Sequence, residues 1–325
     1  MKPLKFIIGL CLGILILAIP FSQFQPSPVE SLQTLAVQLD GRKKPLDTVA
    51  RETVAQIHGR LRYQTNDGNQ LDYLSTYLSL WFNDRDWNEE PFILFSYRPL
   101  KERVGLESGR KYFTFAELIT SDLGSVVLSA RQKQANEQDL SRDEREALTI
   151  EERLGLMLDT VGQNSLPLVP HPSQPKGTWV SIPETGQYYQ PEVEQTLASN
   201  YDNLKSHFDS ISILGQTGQQ LQTELRQLSP QIYPSVKNLE REVNFYKLHP
   251  FGKAWILYAI AFCVMLIVLL FPTFDFYWGA IGIFTSGLLI QGYGFIERMQ
   301  IAGRPPVTNM YESVIWVGFG VAAIA

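Results

Sequence analysis

The feature that most constrains the fold is a change of composition near residue 250 of this 325-residue chain. Residues 26–250 are polar and charged, whereas residues 251–325 are almost wholly apolar. A run of about 20 apolar residues is long enough to span a membrane as a helix. The composition therefore predicts a polar domain followed by a polytopic membrane domain.

Three apolar runs in the C-terminal part predict membrane helices. They lie at about residues 254–271, 276–296 and 313–325. The third run is shorter than a spanning helix needs, so we expect an incomplete helix in a chain that is a fragment of a longer protein. The very short connection at Pro272 predicts that the first two helices form a tight antiparallel hairpin.

The N-terminus combines Lys2 and Lys5 with an uncharged run from Phe6 to Phe21. This pattern is typical of a cleaved signal peptide or of a retained membrane anchor. No clear cleavage site follows the run, which favours an anchor at residues 1–24. Under both interpretations the N-terminus stays in the cytoplasm and the polar domain is exported, because basic residues are retained inside.

Counting spans from this start places the loop at residues 297–312 on the outer side of the membrane. The positive-inside rule does not support the count by itself, because Arg298 and Arg304 fall in that loop while the inner turn carries Asp275. Either export of the polar domain overrides these weak loop charges, or the arginines are kept outside to meet an anion.

Charge and cysteine usage exclude several classes of protein. Residues 22–250 hold 23 basic and 30 acidic side chains, a net charge of −7. Nucleic-acid binding requires a basic face, so we expect no nucleic-acid partner. Both cysteines, Cys11 and Cys263, lie in apolar runs. A disulfide scaffold and a CxxC redox site are therefore excluded.

Local signals predict that the polar domain, residues 25–250, is mostly helical with a small strand element at its start. Capping boxes that begin at Thr114 and Ser141 predict helices over 115–135 and 142–160. Other helices are predicted over 47–59 with Asp47 as N-cap, 71–82, 191–213, 219–228 and 236–246, strands over 35–39 and 91–97, and a loop over 166–183.

The sequence indicates no catalytic or metal site. None of its four histidines pairs with another histidine or a cysteine at metal-ligand spacing. His58 is expected to contact the last carbonyls of its own helix, and His249 is expected to be an interfacial residue. Motifs for a nucleophilic serine, a phosphate-binding loop or a zinc protease are absent.

A polar loop, residues 303–312, lies between the second and third apolar runs. Its two prolines, Pro305 and Pro306, fix φ and donate no N–H, so we expect a stiff loop. Thr308 or Asn309 is expected to cap the helix that follows.

Two charged residues of this loop, Arg304 and Glu312, have two interpretations. They form a local structural clamp at the helix start, where negative charge is favourable, or they form the polar rim of a ligand cavity.

The stretch from Arg304 to Ser313 resembles the Gly-Arg-x-Pro-x-x-Asn-x-Tyr-Glu-Ser signature of the CcsA (ResC) family, membrane proteins of system II cytochrome c biogenesis. Residues 37–48 resemble the start of the exported extension in long bacterial members. Residues 238–258 resemble the approach to their first core span. The resemblance touches both ends of the polar domain and leaves its middle unmatched.

This resemblance implies a multi-pass protein of the bacterial cytoplasmic membrane that handles haem at the outer face and presents it to apocytochrome c. It implies a ResB/CcsB-type partner protein and membership of a cytochrome c haem lyase; whether this chain alone is an enzyme stays open. The family's tryptophan-rich motif and histidines within the spans are missing here. We therefore expect no haem ligand in this chain.

The resemblance also implies a set of site residues in the loop. The expected haem-site rim is Arg304, Asn309, Tyr311 and Glu312, and the residues expected to shape the loop are Gly303, Pro305 and Pro306. The alternative function is a membrane-anchored module whose exported domain docks a protein partner, with the spans serving only as an anchor. A proline-rich polar loop between two spans favours the haem-handling function.

Overall fold

The computed structural model describes residues 2–18, 30–39, 41–162, 166–208, 211–271, 273, 275–305, 307 and 310–324. The chain divides into two compact units. We call Pro26–Leu239 the polar unit, and Met1–Gln25 together with Glu240–Ala325 the apolar unit. The predicted mainly α fold is confirmed, because 67% of the described residues are helical and the strands among them are short.

The described residues form helices and strands with the following bounds. The helices are α1 (Lys2–Ala18), α2 (Glu30–Gln33), α3 (Leu46–His58), α4 (Tyr73–Phe82), α5 (Arg98–Arg103), α6 (Phe115–Thr120), α7 (Leu123–Ala135), α8 (Arg142–Thr160), α9 (Pro191–Ser206), α10 (Ile211–Leu228), α11 (Val236–Leu248), α12 (Pro250–Leu270), α13 (Tyr277–Ala302) and α14 (Met310–Ile324). A 3₁₀ helix spans Ile182–Gln187.

Within the described residues, six short strands pair as three two-stranded antiparallel sheets. They are β1 (Ala36–Leu39) with β2 (Arg42–Pro45), β3 (Arg62–Gln64) with β4 (Gln70–Asp72), and β5 (Ile93–Leu94) with β6 (Tyr112–Phe113). The predicted strand at 35–39 is confirmed as β1. The predicted strand at 91–97 is much shorter, since only two of its residues pair with a neighbour.

The core of the polar unit lies around α3 and α4, which pack on each other. Large aromatic side chains fill the space beside them and are almost completely buried: Trp81, Phe82, Trp87, Phe92, Phe95 and Phe113. Burying a side chain of this size contributes about 2–3 kcal/mol to the free energy of folding. These rings therefore hold the short strands and the two helices together.

The predicted N-cap of α3 is wrong. Pro45 occupies the N-cap position, and no side chain caps the helix. Asp47 lies inside the first turn, is completely buried, and accepts hydrogen bonds from the Tyr73 hydroxyl and the Arg51 guanidinium. A buried carboxylate requires such partners, and Tyr73 comes from α4, outside the local pattern.

The interpretation of His58 is also wrong. Its Nδ1 lies 2.9 Å from the Phe92 carbonyl oxygen rather than at the end of its own helix. The imidazole is buried and stacks on the rings of Phe92 and Tyr112. Gly59, in the left-handed conformation, instead ends α3 through its own N–H, which donates to the Ala55 carbonyl.

Two predicted helices have different bounds in the structure. The helix predicted over 115–135 is divided at Ser121, whose backbone is extended and whose hydroxyl accepts the N–H of Leu123. The helix predicted over 191–213 ends at Ser206, and α10 begins at Ile211. By contrast, α8 and its capping box at Ser141 are confirmed.

The apolar unit contains α12 and α13, which pack antiparallel. Tyr258 on α12 donates a hydrogen bond to Gln291 on α13, at 2.6 Å, and the ring of Phe251 lies against that of Phe295. Two helical stretches, one within Val236–Leu270 and the other α13, are long and apolar enough to cross a membrane.

The first helix, α1, packs along α13 through glycines. A methyl group added at Gly9 would lie 2.0 Å from the Gly279 carbonyl oxygen, and one at Gly13 would meet the Ser286 hydroxyl at 1.8 Å. Small residues allow such close approach of two helix backbones. The order of contacts shows that α1 and α13 run parallel, with Lys5 against Asp275 at their N-terminal ends.

A candidate ligand cavity in the apolar unit

The junction between α11 and α12 forms one wall of a cavity. His249 stands at this junction in the left-handed conformation, with φ 49° and ψ 55°. Its N–H donates to the Phe245 carbonyl, and its own carbonyl accepts the N–H of Lys253. A left-handed non-glycine residue costs of order 1 kcal/mol or more, so the surrounding contacts fix this turn against its local preference.

The cavity has a volume of about 370 Å³ and lies between this junction, α13 and α14. Its apolar lining consists of Phe245, Pro250, Phe251, Gly252, Phe295 and Ile315. Its polar lining consists of Tyr246, His249, Arg298 and Glu312. The site thus combines aromatic walls with a few polar groups, the usual make-up of a small-molecule pocket.

An ion pair between Arg298 and Glu312 stands in the cavity wall. The Arg298 Nε lies 3.3 Å from the Glu312 Oε1, and the two side chains are 25% and 8% exposed. The Tyr246 hydroxyl also hydrogen-bonds with the Arg298 guanidinium. Glu312 lies in the first turn of α14, where the helix dipole favours a negative charge.

A second ion pair lies at the same end of α13. The Glu297 Oε2 lies 3.2 Å from the Arg241 Nε on α11. Adjacent residues of α13 thus pair in opposite directions, Glu297 with α11 and Arg298 with α14. The Arg298 pair thus lies in the cavity wall, whereas neither Glu297 nor Arg241 lines the cavity.

A buried amide connects α12, α13 and α14 deeper in the unit. Gln291 accepts the hydrogen bond of Tyr258, and its Nε2 donates to the Ile315 carbonyl at 3.4 Å. Polar side chains inside apolar helix bundles act as such crosslinks. Gln291 therefore supports the floor of the cavity without lining it.

The structure brings one predicted rim residue, Glu312, into the cavity wall. Arg304 is exposed and is not among the residues that line the cavity. Asn309 lies outside the described residues, as does the side chain of Tyr311. The assignment of Arg304, Asn309 and Tyr311 to a ligand site therefore stays a prediction.

The loop-shaping residues are placed in part. Gly303 ends α13 in the left-handed conformation, at φ 65°, and donates its N–H to the Met299 carbonyl. Pro305 is exposed, whereas Pro306 and the proposed cap Thr308 lie outside the described residues.

Sequence reasoning missed Arg298 as a cavity residue. From the sequence alone, Arg298 could be recognised only as a charge in the loop at 297–312. Its pairing with Glu312 could not be predicted, because fourteen residues separate the two along the chain. The local signal that could have found it is a guanidinium within an otherwise apolar helix, which requires a partner.

Within the described parts of the chain, no group of three or more histidine, cysteine, aspartate or glutamate side chains is arranged to hold a metal ion. His249 is the one described histidine in the apolar unit. The site as described offers apolar contact, hydrogen bonding and one cation–anion pair.

The fold and the cavity define a class of protein: a mainly α chain with a separate polar unit and an apolar unit that contains two helices long enough to cross a membrane. No known family model matches the chain. The chain is 24% identical over 302 residues to Protein NrfI of Wolinella succinogenes. The match covers 86% of this chain and 32% of NrfI, so the chain spans about a third of the length of this relative.

Proposed function

We propose that this chain takes part in cytochrome c maturation at a bacterial cytoplasmic membrane. The observation that carries this proposal is the similarity to NrfI over 302 residues, since NrfI belongs to cytochrome c biogenesis. The motif at residues 304–313, which resembles the CcsA signature, points to the same process. Because the chain spans only about a third of NrfI, the activity and the partners of the whole protein are also proposed below.

We further propose that the cavity contacts haem as cargo in transit. Haem combines a flat apolar ring with two carboxylates, and the cavity combines the rings of Phe245, Phe251 and Phe295 with the cation Arg298. Aromatic side chains contribute large apolar contact areas. Arginine binds carboxylates through paired N–H donors. The iron ligands are proposed to come from outside this chain.

The partners that fit this role are apocytochrome c and a ResB/CcsB-type membrane protein, with which the complete protein would act in a cytochrome c haem lyase. The polar unit is proposed to lie on the outer side of the membrane, together with residues 297–312. Arg304, Asn309, Tyr311 and Glu312 are proposed as the rim of the haem site, with Gly303, Pro305 and Pro306 setting the loop.

Two variants of the full-length protein test this function. Glu312→Gln and Arg304→Ala are expected to lower the amount of haem-stained cytochrome c several-fold while protein abundance stays near normal. The physical reason is a change of charge at the proposed rim: Arg304→Ala removes a cation, and Glu312→Gln removes the carboxylate that pairs with Arg298 in the cavity wall.

The matched control is Glu297→Gln, which removes the neighbouring carboxylate of α13 from a pair outside the cavity lining. It should leave maturation unchanged. If cytochrome c falls only in step with protein abundance, Glu312 and Arg304 form a structural clamp. If neither variant changes maturation, the loop is a passive turn and the proposed role of this site is wrong.

A further inference from the structure

The cavity contains a cation whose carboxylate partner belongs to the protein itself. We propose that Arg298 is an anion receptor and that Glu312 is its internal competitor, which an anionic group of the ligand displaces. This inference rests on the proposed function in one respect, that the cavity takes up a ligand. The ligand class is an amphiphile with an apolar body and an anionic head group.

The ion pair is loose enough to be exchanged. Its closest N···O distance is 3.3 Å, whereas charge-assisted bonds of this type are usually about 2.7–2.9 Å. Glu312 meets the guanidinium through Nε, and a guanidinium carries five N–H donors in a planar fork. A carboxylate or phosphate that approaches along the fork can therefore make two parallel bonds to the guanidinium.

The surroundings make an exchange more favourable than simple opening of the pair. Arg298 is three-quarters buried, and Phe245, Phe251 and Phe295 surround the cavity beside it. Leaving a buried charge without a counter-charge is strongly unfavourable. An incoming anion compensates Arg298 at the moment when Glu312 leaves.

The start of α14 can stabilise the Glu312 carboxylate after it is displaced from Arg298. It lies in the first turn of α14, where the backbone N–H groups and the helix dipole stabilise a carboxylate. A rotation of its side chain toward the helix start keeps the negative charge solvated by those groups. The two states of Glu312 then correspond to an empty and an occupied cavity.

An internal competitor lowers the apparent affinity for the ligand, because the receptor is available only in part. A lowered apparent affinity is useful in a protein that must release its cargo, because the ligand then dissociates more readily. It also explains why Glu312→Gln is expected to lower maturation: the variant should hold an anionic ligand more tightly and release it more slowly.

Binding to the 325-residue chain in phosphatidylcholine nanodiscs tests the exchange. The probes are haem and haem dimethyl ester, which has the same ring without free carboxylates. Glu312→Gln should bind haem roughly tenfold more tightly, and Arg298→Gln roughly tenfold more weakly, as expected for one charge-assisted contact. Neither change should alter binding of the ester.

A second arm distinguishes haem from lipid as the source of the anion. Nanodiscs that contain phosphatidylglycerol should weaken haem binding in the wild-type chain and in Glu312→Gln, and should not do so in Arg298→Gln. Native mass spectrometry of the chain released from these nanodiscs measures directly how much phosphatidylglycerol each variant retains. Glu297→Gln is the matched control, and thermal unfolding in detergent verifies that each variant is folded.

The outcomes separate the inference from the proposed function. If both variants weaken haem binding alike, or if neither changes it, Glu312 is no competitor and the inference is overturned. If phosphatidylglycerol binding follows the expected order while haem does not bind, the anion receptor stands and the haem role of the cavity fails. If neither haem nor the anionic lipid binds, the receptor is refuted.

Discussion

At the scale of single residues, His58 connects the stability of the polar unit to pH. Its side chain is buried between Phe92 and Tyr112, and its Nδ1 bonds to the Phe92 carbonyl. Burial lowers the pKa of the imidazole below its ordinary value of 6.5, although the carbonyl contact acts in the opposite direction. The folded chain therefore holds His58 neutral.

The stability of the polar unit should fall as the pH drops below 6.5. The unfolded chain binds a proton at His58 near that pH, while the folded chain binds it only at lower pH. Unfolding therefore takes up a proton in this window, which favours the unfolded state as acidity rises. His58→Asn, which keeps a donor for the Phe92 carbonyl, should flatten the fall in melting temperature between about pH 7.5 and pH 5.

His207→Gln is the control for this experiment. His207 is partly exposed, and its Nδ1 bonds to the carbonyl of Asn203 in its own helix turn. Its replacement should leave the pH dependence of the melting temperature as in the wild-type chain. A melting curve for His58→Asn with the full wild-type pH dependence would show that another group is responsible.

Residue roles that depend on tertiary partners were out of reach of the sequence. Asp47 and His58 stand at the two ends of α3, so local rules assigned them to capping. In the fold both are buried and bond to other segments, Asp47 to Tyr73 and His58 to Phe92. The capping box at Ser141 was predictable because both of its partners lie within four residues.

At the scale of elements, the contact between α1 and α13 depends on the absence of side chains. Gly9 meets the backbone of Gly279, and Gly282 meets the backbone of α1 near Phe6 and Leu10. Because backbone atoms cannot move aside as a flexible side chain can, even one methyl group must separate the two helices. α1 is thus an integral part of the apolar unit.

Gly9→Ala should lower the stability of the apolar unit by about 1–3 kcal/mol, the usual cost of overpacking. Thermal unfolding of the chain in detergent measures it. Gly320→Ala is the control, because apart from the neighbouring backbone of its own helix no described atom lies within 4 Å of the added carbon there. Equal melting temperatures for the two variants would contradict the close packing of α1 on α13.

The presence of a helix could be predicted from the sequence more reliably than the residues at which it begins and ends. The three apolar runs all became helices, α12, α13 and α14, because their length and composition leave few alternatives. The break between α6 and α7 was missed because a single serine hydroxyl, on Ser121, accepts a backbone N–H there. The position of such a helix break depends on local hydrogen-bond geometry, which cannot be predicted from the periodicity of apolar residues.

At the scale of the whole chain, the charges at the two ends of α13 differ in their partners. At its start, Lys5 of α1 bonds to Asp275 at 2.5 Å, and Lys2 lies over the ring of Trp278. The basic residues that the turn between α12 and α13 lacks in sequence are thus supplied by α1. This arrangement reconciles the predicted orientation with the positive-inside rule.

Cysteine labelling tests the orientation. In a chain whose native Cys11 and Cys263 are replaced by alanine, single cysteines at Gln231 and Ala302 should react with a membrane-impermeant thiol reagent from outside. A cysteine at Thr273 should react only after the membrane is opened. Thr273 is preferable to Asp275, whose carboxylate pairs with Lys5. External labelling at 273 without labelling at 231 would reverse the proposed topology.

The division of the chain into polar and apolar parts could be predicted from composition alone, since it reflects an average over many residues. The cavity could not, because its lining comes from four helices and from residues as far apart as Phe245 and Ile315. Glu312 was found through its motif. Arg298 could be identified as a cavity residue only from the packing of α13 against α14.

The contact between Lys5 and Asp275 has a consequence for biosynthesis. These residues are 270 positions apart, and a ribosome that adds about 5–20 residues per second needs roughly 15 to 50 s to make the intervening chain. During that time the glycine face of α1 has no α13 to receive it. The apolar unit can therefore assemble only after the whole polar unit has emerged, so the synthesis of α13 determines when α1 reaches its final place.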